Sequence, residues 1–382
     1  MADRLSTLLH DAASTLDAPS LSAGQAMTQG RRLRQRRRAR NALAGAVAAI
    51  VVIGATTAAL GAWHRDGSPE PARLPDHTAY EQRGAWAAGI QVHVGNHVVE
   101  IPDAPSDHRS VFVGPISYTS VGALVPYTDL SSTEGSEAPR ESVLLVTPDG
   151  DVKRLGQVGG LTADASSPVI VFTRAASEPD TWELVTRDLA TGEERAVGTP
   201  WGAKDPSPVG RSGDLVVYVR DQHMVTINWR TGEPGRLTHV PEIGMTTMQS
   251  FGHGGYLTAP SRATPTSVWH LRTLPEGKLL GTFPDRGDGE VQMSPDGRFV
   301  MTGGNGSVTV YDVATEKATP LELTGSVHDY GWTPDGHVVG ARGSHVAVCD
   351  PADGSCTEVG ELGSERLSLG HGASDTDPMA GG

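Results

Sequence analysis

Lysine, cysteine and aromatic residues are scarce in this 382-residue chain, and each scarcity removes a class of function. Of the 31 basic residues 27 are Arg, a bias that reads as genome composition rather than as a binding property. The two cysteines, Cys349 and Cys356, are too few for a cysteine-ligated metal centre and lack the CxxC spacing of a redox pair. None of the 14 His falls in an HExxH pair, and His93 and His97 straddle a turn where both are as easily solvent-facing. The acidic loop DRGDGE at 285–290 lacks the DxDxDG ladder of a Ca²⁺ site and reads as a solvated turn. There is no GxSxG elbow, no Walker A run and no GxGxxG between a strand and a helix. No catalytic residue, cofactor or metal is therefore expected from linear motifs.

What is present divides by charge. Residues 1–40 hold eight Arg and three Asp, a net +5, so the remainder of a chain of net charge −14 sums to −19. Such an acidic body excludes nucleic acid as its partner, because phosphate binding needs a basic surface.

Residues 41–63 carry no charge, and 23 residues at 1.5 Å each span about 34 Å as a helix, enough for a hydrocarbon core of about 30 Å. Before them stand Arg31, Arg32, Arg34, Arg36, Arg37, Arg38 and Arg40, and after them only Arg65 beside Asp66 and Glu70. The positive side is expected to stay in the cytoplasm, with Trp63 at the outer interface. A leader of 40 residues and an apolar run above 20 are both too long for a cleaved signal peptide. Upstream, Leu5, Leu8, Leu9 and Leu16 recur at helical spacing, so residues 3–17 are read as a short amphipathic helix that needs a surface to lie on. Its three Asp against one Arg suit a protein groove better than an anionic membrane.

Beyond the span, residues 64–78 contain Pro69, Pro71 and Pro75 and read as a stiff spacer, and residues 371–382 as a small polar disordered tail. The domain between them, residues 79–370, consists of short apolar runs separated by Gly, Pro, Asp and Asn, without a sustained 3.6-residue period. It is read as all-β. Turn signals recur at Gly150, Gly192, Gly232, Gly277, Glu316 and Gly354, with intervals of 42, 40, 45, 39 and 38 residues. A hairpin around Gly95 lies 55 before Gly150, the excess being an insertion at 129–141. Forty residues accommodate four short strands, the period of a propeller blade. Seven blades are predicted, six being the alternative. Ser364–Gly370 reads as a lone strand, and the residues from Tyr80 to Ile101 as a blade without its innermost strand; each would complete the other. Cys349 and Cys356 flank one hairpin turn, CDPADGSC, in range of a structural disulfide if directly opposed.

SPDGRFV at Ser294 and TPDGHVV at Thr333 resemble the repeat of TolB-type and WD-repeat-like propellers, in which a Pro-Asp-Gly turn joins the first two strands of a blade. The tripeptide suits that turn because Pro presets φ, Asp bonds the backbone ahead and Gly accepts a positive φ. The arginine bias suits a bacterium of actinobacterial type. The layout of cytosolic helix, basic stop, single span and outer domain resembles that of bacterial membrane-bound anti-sigma factors, although the cytosolic part has no Cys for the zinc-type HxxxCxxC cluster. These resemblances imply a single-pass cell-membrane protein whose propeller binds an extracytoplasmic protein, peptide or glycan, with a sigma factor as a candidate cytoplasmic partner. The alternative is a membrane-tethered hydrolase with its site in the central channel, since propeller sites leave no linear motif.

Overall fold

The computed structural model describes residues 74–104, 111–129, 141–177, 181–201, 208–220, 223–237, 248–258, 268–284, 291–304, 307–323, 330–362 and 367–369. The amphipathic segment with Leu5, Leu8, Leu9 and Leu16, the Arg31–Arg40 cluster, the 41–63 span with Trp63, most of the 64–78 spacer, the 285–290 loop and the 371–382 tail lie outside them. Among the described residues no helix is long and apolar enough to cross a membrane.

The described residues form seven antiparallel sheets arranged as a seven-bladed β-propeller. Blade 1 joins β1 (Ala85–Ala88), β2 (Gln91–Val94) and β3 (His97–Glu100) to a strand from the other end of the chain. Blade 2 has an innermost strand broken into β4 (Val111–Val113) and β5 (Ser117–Thr119), followed by β6 (Gly122–Asp129), β7 (Glu141–Val146) and β8 (Val152–Gln157). Blade 3 runs from β9 (Leu161–Thr162) through β10 (Val169–Ala175) and β11 (Trp182–Asp188) to β12 (Glu194–Trp201). Blade 4 comprises β13 (Pro208–Ser212), β14 (Leu215–Arg220), β15 (His223–Asn228) and β16 (Pro234–Arg236). Blade 5 comprises β17 (Met248–Gly252), β18 (Gly255–Thr258), β19 (Val268–Thr273) and β20 (Leu279–Pro284). Blade 6 holds β21 (Val291–Met293), β22 (Phe299–Gly304), β23 (Ser307–Asp312) and β24 (Ala318–Leu321). Blade 7 holds β25 (Tyr330–Trp332), β26 (Val338–Arg342), β27 (His345–Cys349) and β28 (Cys356–Glu361). The last strand, β29 (Leu367–Leu369), pairs with β1 as the innermost strand of blade 1, in register Trp86 to Leu369.

The apolar runs explain the ring. Adjacent residues on a strand point to opposite faces, so a strand buried on both faces must be apolar at consecutive positions. In β14 the side chain of Val216 packs toward blade 3 with Val171 and Leu184, and that of Val217 toward blade 5 with Phe251 and Tyr256. In β22 Val300 joins the blade 5 seam, whereas Phe299 and Met301 join the blade 7 seam. Each of the seven seams has its own apolar cluster, and the closing one unites Trp86 and Leu369 of blade 1 with Val339 and Val346 of blade 7.

Hydrogen bonds also pass from blade to blade near the axis. Ile116 N donates to Leu369 O (3.0 Å), Ser120 N to Ser167 O (3.1 Å) and Asp335 N to Glu81 O (3.2 Å). Ser212 Oγ accepts from Gly254 N (2.6 Å), and Ser250 Oγ from Met293 N (2.8 Å). Gln292 Nε2 donates to Tyr330 O (3.4 Å) and Arg211 to Ser167 Oγ (3.0 Å), so each neighbouring pair from blade 1 to blade 7 is bonded, while Asp335 joins blade 7 to the segment preceding blade 1.

One element departs from the expected spacer. Asp76–Arg83 is a helix, α1, rather than extended chain. Pro75, at φ −53°, precedes it, Asp76 sits in its first turn and Arg83 in its last, each sign favourable to the helix dipole. Asn96 holds α1 at both ends, donating to Leu74 O (2.8 Å) and Asp76 Oδ1 (3.0 Å) and accepting from Arg83 Nη1 (3.0 Å). The Tyr80 hydroxyl, buried in the blade 1–2 seam, donates to Thr119 O (2.9 Å).

Candidate binding face

In a four-stranded antiparallel blade, the turn between strands one and two and the turn between strands three and four emerge on the same side. Five of the third-to-fourth turns share one geometry: Gly192, Gly232, Gly277, Glu316 and Gly354 donate N–H to Asp188, Asn228, Thr273, Asp312 and Asp350 carbonyls at 2.7–2.9 Å. The Gly residues there have φ between 68° and 82°, and Glu316 takes the same left-handed conformation at 57°. Four of these turns also reach the inner turn of their own blade, Leu189 N donating to Pro168 O, Trp229 N to Asp214 O, Leu274 N to Gly254 O and Val313 N to Arg298 O. In blade 7 the corresponding residue is Pro351, which has no N–H to give. Gly95 and Gly150 likewise fall in third-to-fourth turns, so all seven sequence markers lie on this face.

The inner turns surround the channel mouth. In blades 6 and 7 they are the Pro-Asp-Gly turns. Ser294 Oγ donates to Asp296 Oδ1 (2.8 Å) and accepts from Phe299 N (2.9 Å), and Thr333 Oγ1 does the same with Asp335 Oδ1 (2.8 Å) and His337 N (3.0 Å). Gly297 must be glycine twice over, with φ at 69° and a would-be Cβ only 2.6 Å from His253 O of the next blade. His337 Nδ1 lies 2.7 Å from Asp335 Oδ1, a bond that raises its pKa against the desolvation that lowers it.

Blade 4 is built differently at this point. Arg211, at the end of β13, is only 4% exposed and is the one buried charged side chain among the described residues. Its Nε donates to Gly213 O (3.0 Å), its Nη2 to Ser167 Oγ (3.0 Å) and its Nη1 to Val169 O, all neutral acceptors. Desolvation lowers its pKa, with Asp164 the strongest opposing influence. The Trp229 ring lies between two guanidinium groups, Arg211 at 4.9 Å and Arg230 at 4.2 Å from its centroid. Trp229 Nε1 donates to Gly213 O (3.0 Å), Arg195 Nη2 donates to Trp229 O (2.6 Å), and Arg230 Nε donates to Asp214 Oδ1 (2.7 Å).

Two depressions flank this cluster. At the channel mouth a cavity of about 30 Å³ is lined by Ser117, Tyr118, Asp164, Arg211, Ser212 and His253, with Ala163, Ala165, Phe251, Gly252 and Pro295. Further out, a groove of about 310 Å³ is lined by Val169, Thr186, Asp188, Glu193, Arg195, Trp229 and Arg230. Polar groups around the inner cavity are largely committed. Asp164 Oδ1 accepts from Ser166 N (2.8 Å) and Oγ (2.6 Å). The Tyr118 hydroxyl accepts from Ala85 N (3.0 Å) and donates to Ala85 O (3.1 Å), and burial pushes its pKa well up. No Asp, Glu or His is buried among the described residues, and no group of three potential metal ligands converges there.

Of the residues singled out in the sequence, Cys349 and Cys356 are directly paired across β27 and β28 and form a disulfide. His93 stacks on Trp86 at 3.5 Å, and burial lowers its pKa to about 4. His97 Nε2 lies 3.2 Å from Asp76 Oδ1, which places β3 beside the start of α1. Arg211, Trp229 and Arg230 were not foreseen as a group. The visible signal was that Arg211-Ser212-Gly213-Asp214 replaces a Pro-Asp-Gly turn with a cation at the end of an inner strand.

No protein-family model and no curated protein matches the chain. Solved structures similar to it include the crystal structure of TolB from Acinetobacter baumannii, with 17% identity over 68% of this chain and 83% of that one and a TM-score of 0.37. The β-propeller domain of the Trilobed protease from Pyrococcus furiosus shows 10% identity over 66% and 84%, with a TM-score of 0.42. An oligogalacturonate lyase in complex with manganese shows 13% identity over 66% and 91%, with a TM-score of 0.38. The seven-bladed propeller assigned here stands on the strand pairing of the chain itself.

Proposed function

We propose that this chain is a membrane-anchored, extracytoplasmic propeller that binds a protein, peptide or glycan on its turn face and reports that binding inward through residues 1–30. The observation that carries the binding role is the blade 3–4 sector. A buried Arg, a Trp held between two guanidinium groups and two adjoining depressions give a shaped, mixed polar surface there. Aromatic and Arg side chains are the usual anchors of recognition surfaces.

Membrane anchoring rests on the uncharged 41–63 run behind seven Arg, and the inward signal on the leucines at positions 5, 8, 9 and 16. Placed across a bilayer from the propeller, those leucines have nothing in the chain to pack against, and a sigma factor is the first candidate for the groove that receives them.

An impermeant thiol reagent applied to intact cells tests the topology, because the disulfide leaves no free cysteine to label in the native chain. A cysteine introduced at Ser132 is expected to react and one at Ser20 to be shielded; the reverse pattern overturns the anchored arrangement. In the same cells, Leu8→Asp with Leu9→Asp is expected to abolish recovery of the cytosolic partner while insertion continues. Recovery that ignores these leucines reduces residues 1–30 to a passive leader.

A further inference from the structure

The Arg211 guanidinium carries a positive charge into the protein without a carboxylate among its hydrogen-bond partners. Only three neutral oxygens receive its N–H groups. A guanidinium has five N–H donors in a fixed fork, so two are not taken up by these oxygens, and Arg211 lines the channel-mouth cavity. A desolvated charge that carboxylates, Asp164 foremost, offset only at a distance and none by a hydrogen bond is costly, and its natural complement is an anion. The cavity, at about 30 Å³, holds a few heavy atoms rather than a sugar or nucleotide. Asp164 lines the same cavity and repels an entering anion in proportion to its charge, which disfavours a doubly charged group more than a singly charged one. Trp229 covers one side of the guanidinium, which blocks approach from the outer groove and leaves the channel side.

From this geometry we infer that Arg211 is the floor of a carboxylate-binding site at the channel mouth, selective for a singly charged carboxylate over phosphate. The carboxylate is that of a peptide, either its C-terminus or an acidic side chain. Ser117, on blade 2, forms part of the opposite wall. The site lies in a body of net negative charge, so a single buried cation distinguishes one acidic group from bulk anions by fit rather than by long-range attraction.

The test is thermal unfolding of the full chain in detergent micelles, titrated with acetate at constant ionic strength against chloride and inorganic phosphate. Acetate is expected to raise the melting temperature saturably, and chloride and phosphate are not. Arg211→Gln is expected to weaken the acetate response at least about tenfold, the scale of one lost charge-assisted hydrogen bond. Because Arg211 also braces blade 3, a second variant, Ser117→Leu, narrows the cavity while leaving Arg211 in place and is expected to remove the response too. N-acetylglycine and the α-amide of N-acetylglutamate then identify the source, the tighter of the two marking a C-terminus or a side chain. No acetate effect, or one that survives both variants, overturns the site and leaves Arg211 as a brace between blades. The inference rests on the binding role for its peptide source, and the two fail separately. A propeller that responds to acetate yet captures nothing on its turn face loses the binding role, and one that captures a partner with no acetate response loses the carboxylate site.

Discussion

Blade 6 closes its inner turn with its own residues, whereas blades 1 and 4 borrow. In blade 6 the hydroxyl of Ser294 and the carboxylate of Asp296 satisfy the turn within five residues of sequence. In blade 4 the same place is held by Arg211, whose partners Ser167 and Val169 lie 44 and 42 residues back, in blade 3. Blade 1 borrows a whole strand, since β29 comes from the other end of the chain. A self-sufficient turn gives a regular rim with nothing left over. A borrowed one leaves a charge, a stacked Trp and two hollows, and those are the features from which recognition is built.

The borrowed strand is the most sensitive point of the ring. Leu369 is 1% exposed in the seam between blades 1 and 7, so Leu369→Asp is expected to cost about 4 kcal/mol by burying an unpaired charge and losing apolar packing. Chemical denaturation reads it directly. If the loss is below about 1 kcal/mol, β29 is not what closes the ring.

The disulfide sharpens the same contrast from within one blade. Its loop of eight residues gives about 2.5 kcal/mol at most in the chain-entropy account, and Cys349→Ser or reduction is expected to lower the melting temperature while the far-ultraviolet β signature persists. Comparison of the two inner turns comes next. Arg211→Met removes the donor to two backbone carbonyls and a Ser hydroxyl and is expected to cost about 2 kcal/mol, against about 1 kcal/mol for Ser294→Ala. Equal losses would erase the distinction between borrowed and self-sufficient turns.

Glu316 occupies a left-handed position that four sister turns give to Gly. Glu316→Gly is expected to stabilise by up to about 1 kcal/mol, and a melting curve that moves the other way contradicts the shared turn geometry. The smallest effect is a pair of opposed pH dependences. His93, lowered to about 4, is held neutral, so stability falls as pH drops from the ordinary His range toward 4 and the unfolded chain takes up the proton. His337, raised by Asp335, favours the charged form, so its contribution is present at low pH and is lost as pH rises through its folded-state pKa. His93→Phe should flatten the acid limb of a melting-temperature profile, and His337→Gln the limb on the neutral side.

The ring was largely legible because its signals are local. A Gly with positive φ marks most of the outer turns at a spacing near forty, an Asp or Asn that bonds the next residues opens four of them, and consecutive apolar pairs such as Val216-Val217 mark strands buried on both faces. The closing strand was legible as a strand without neighbours. What escaped was short or distant. Helix α1 has eight residues with only Ala79 and Tyr80 buried, too few to set a helical period. The strand β9 is two residues long, and the innermost strand of blade 2 breaks between Val113 and Ser117. Arg211 escaped because its role depends on oxygens more than forty residues away, which no local pattern encodes.

Ligand is expected to meet the propeller at the inner turns. The most direct measurement places a photo-crosslinking residue at position 253, beside the channel mouth, or at position 280, on the exposed outer strand of the same blade, in the full chain in native membranes. A discrete adduct from 253 that weakens in the Arg211→Gln background, with none from 280, is the predicted result. No adduct from 253, or the same adduct from both positions, contradicts a binding face built on the inner turns.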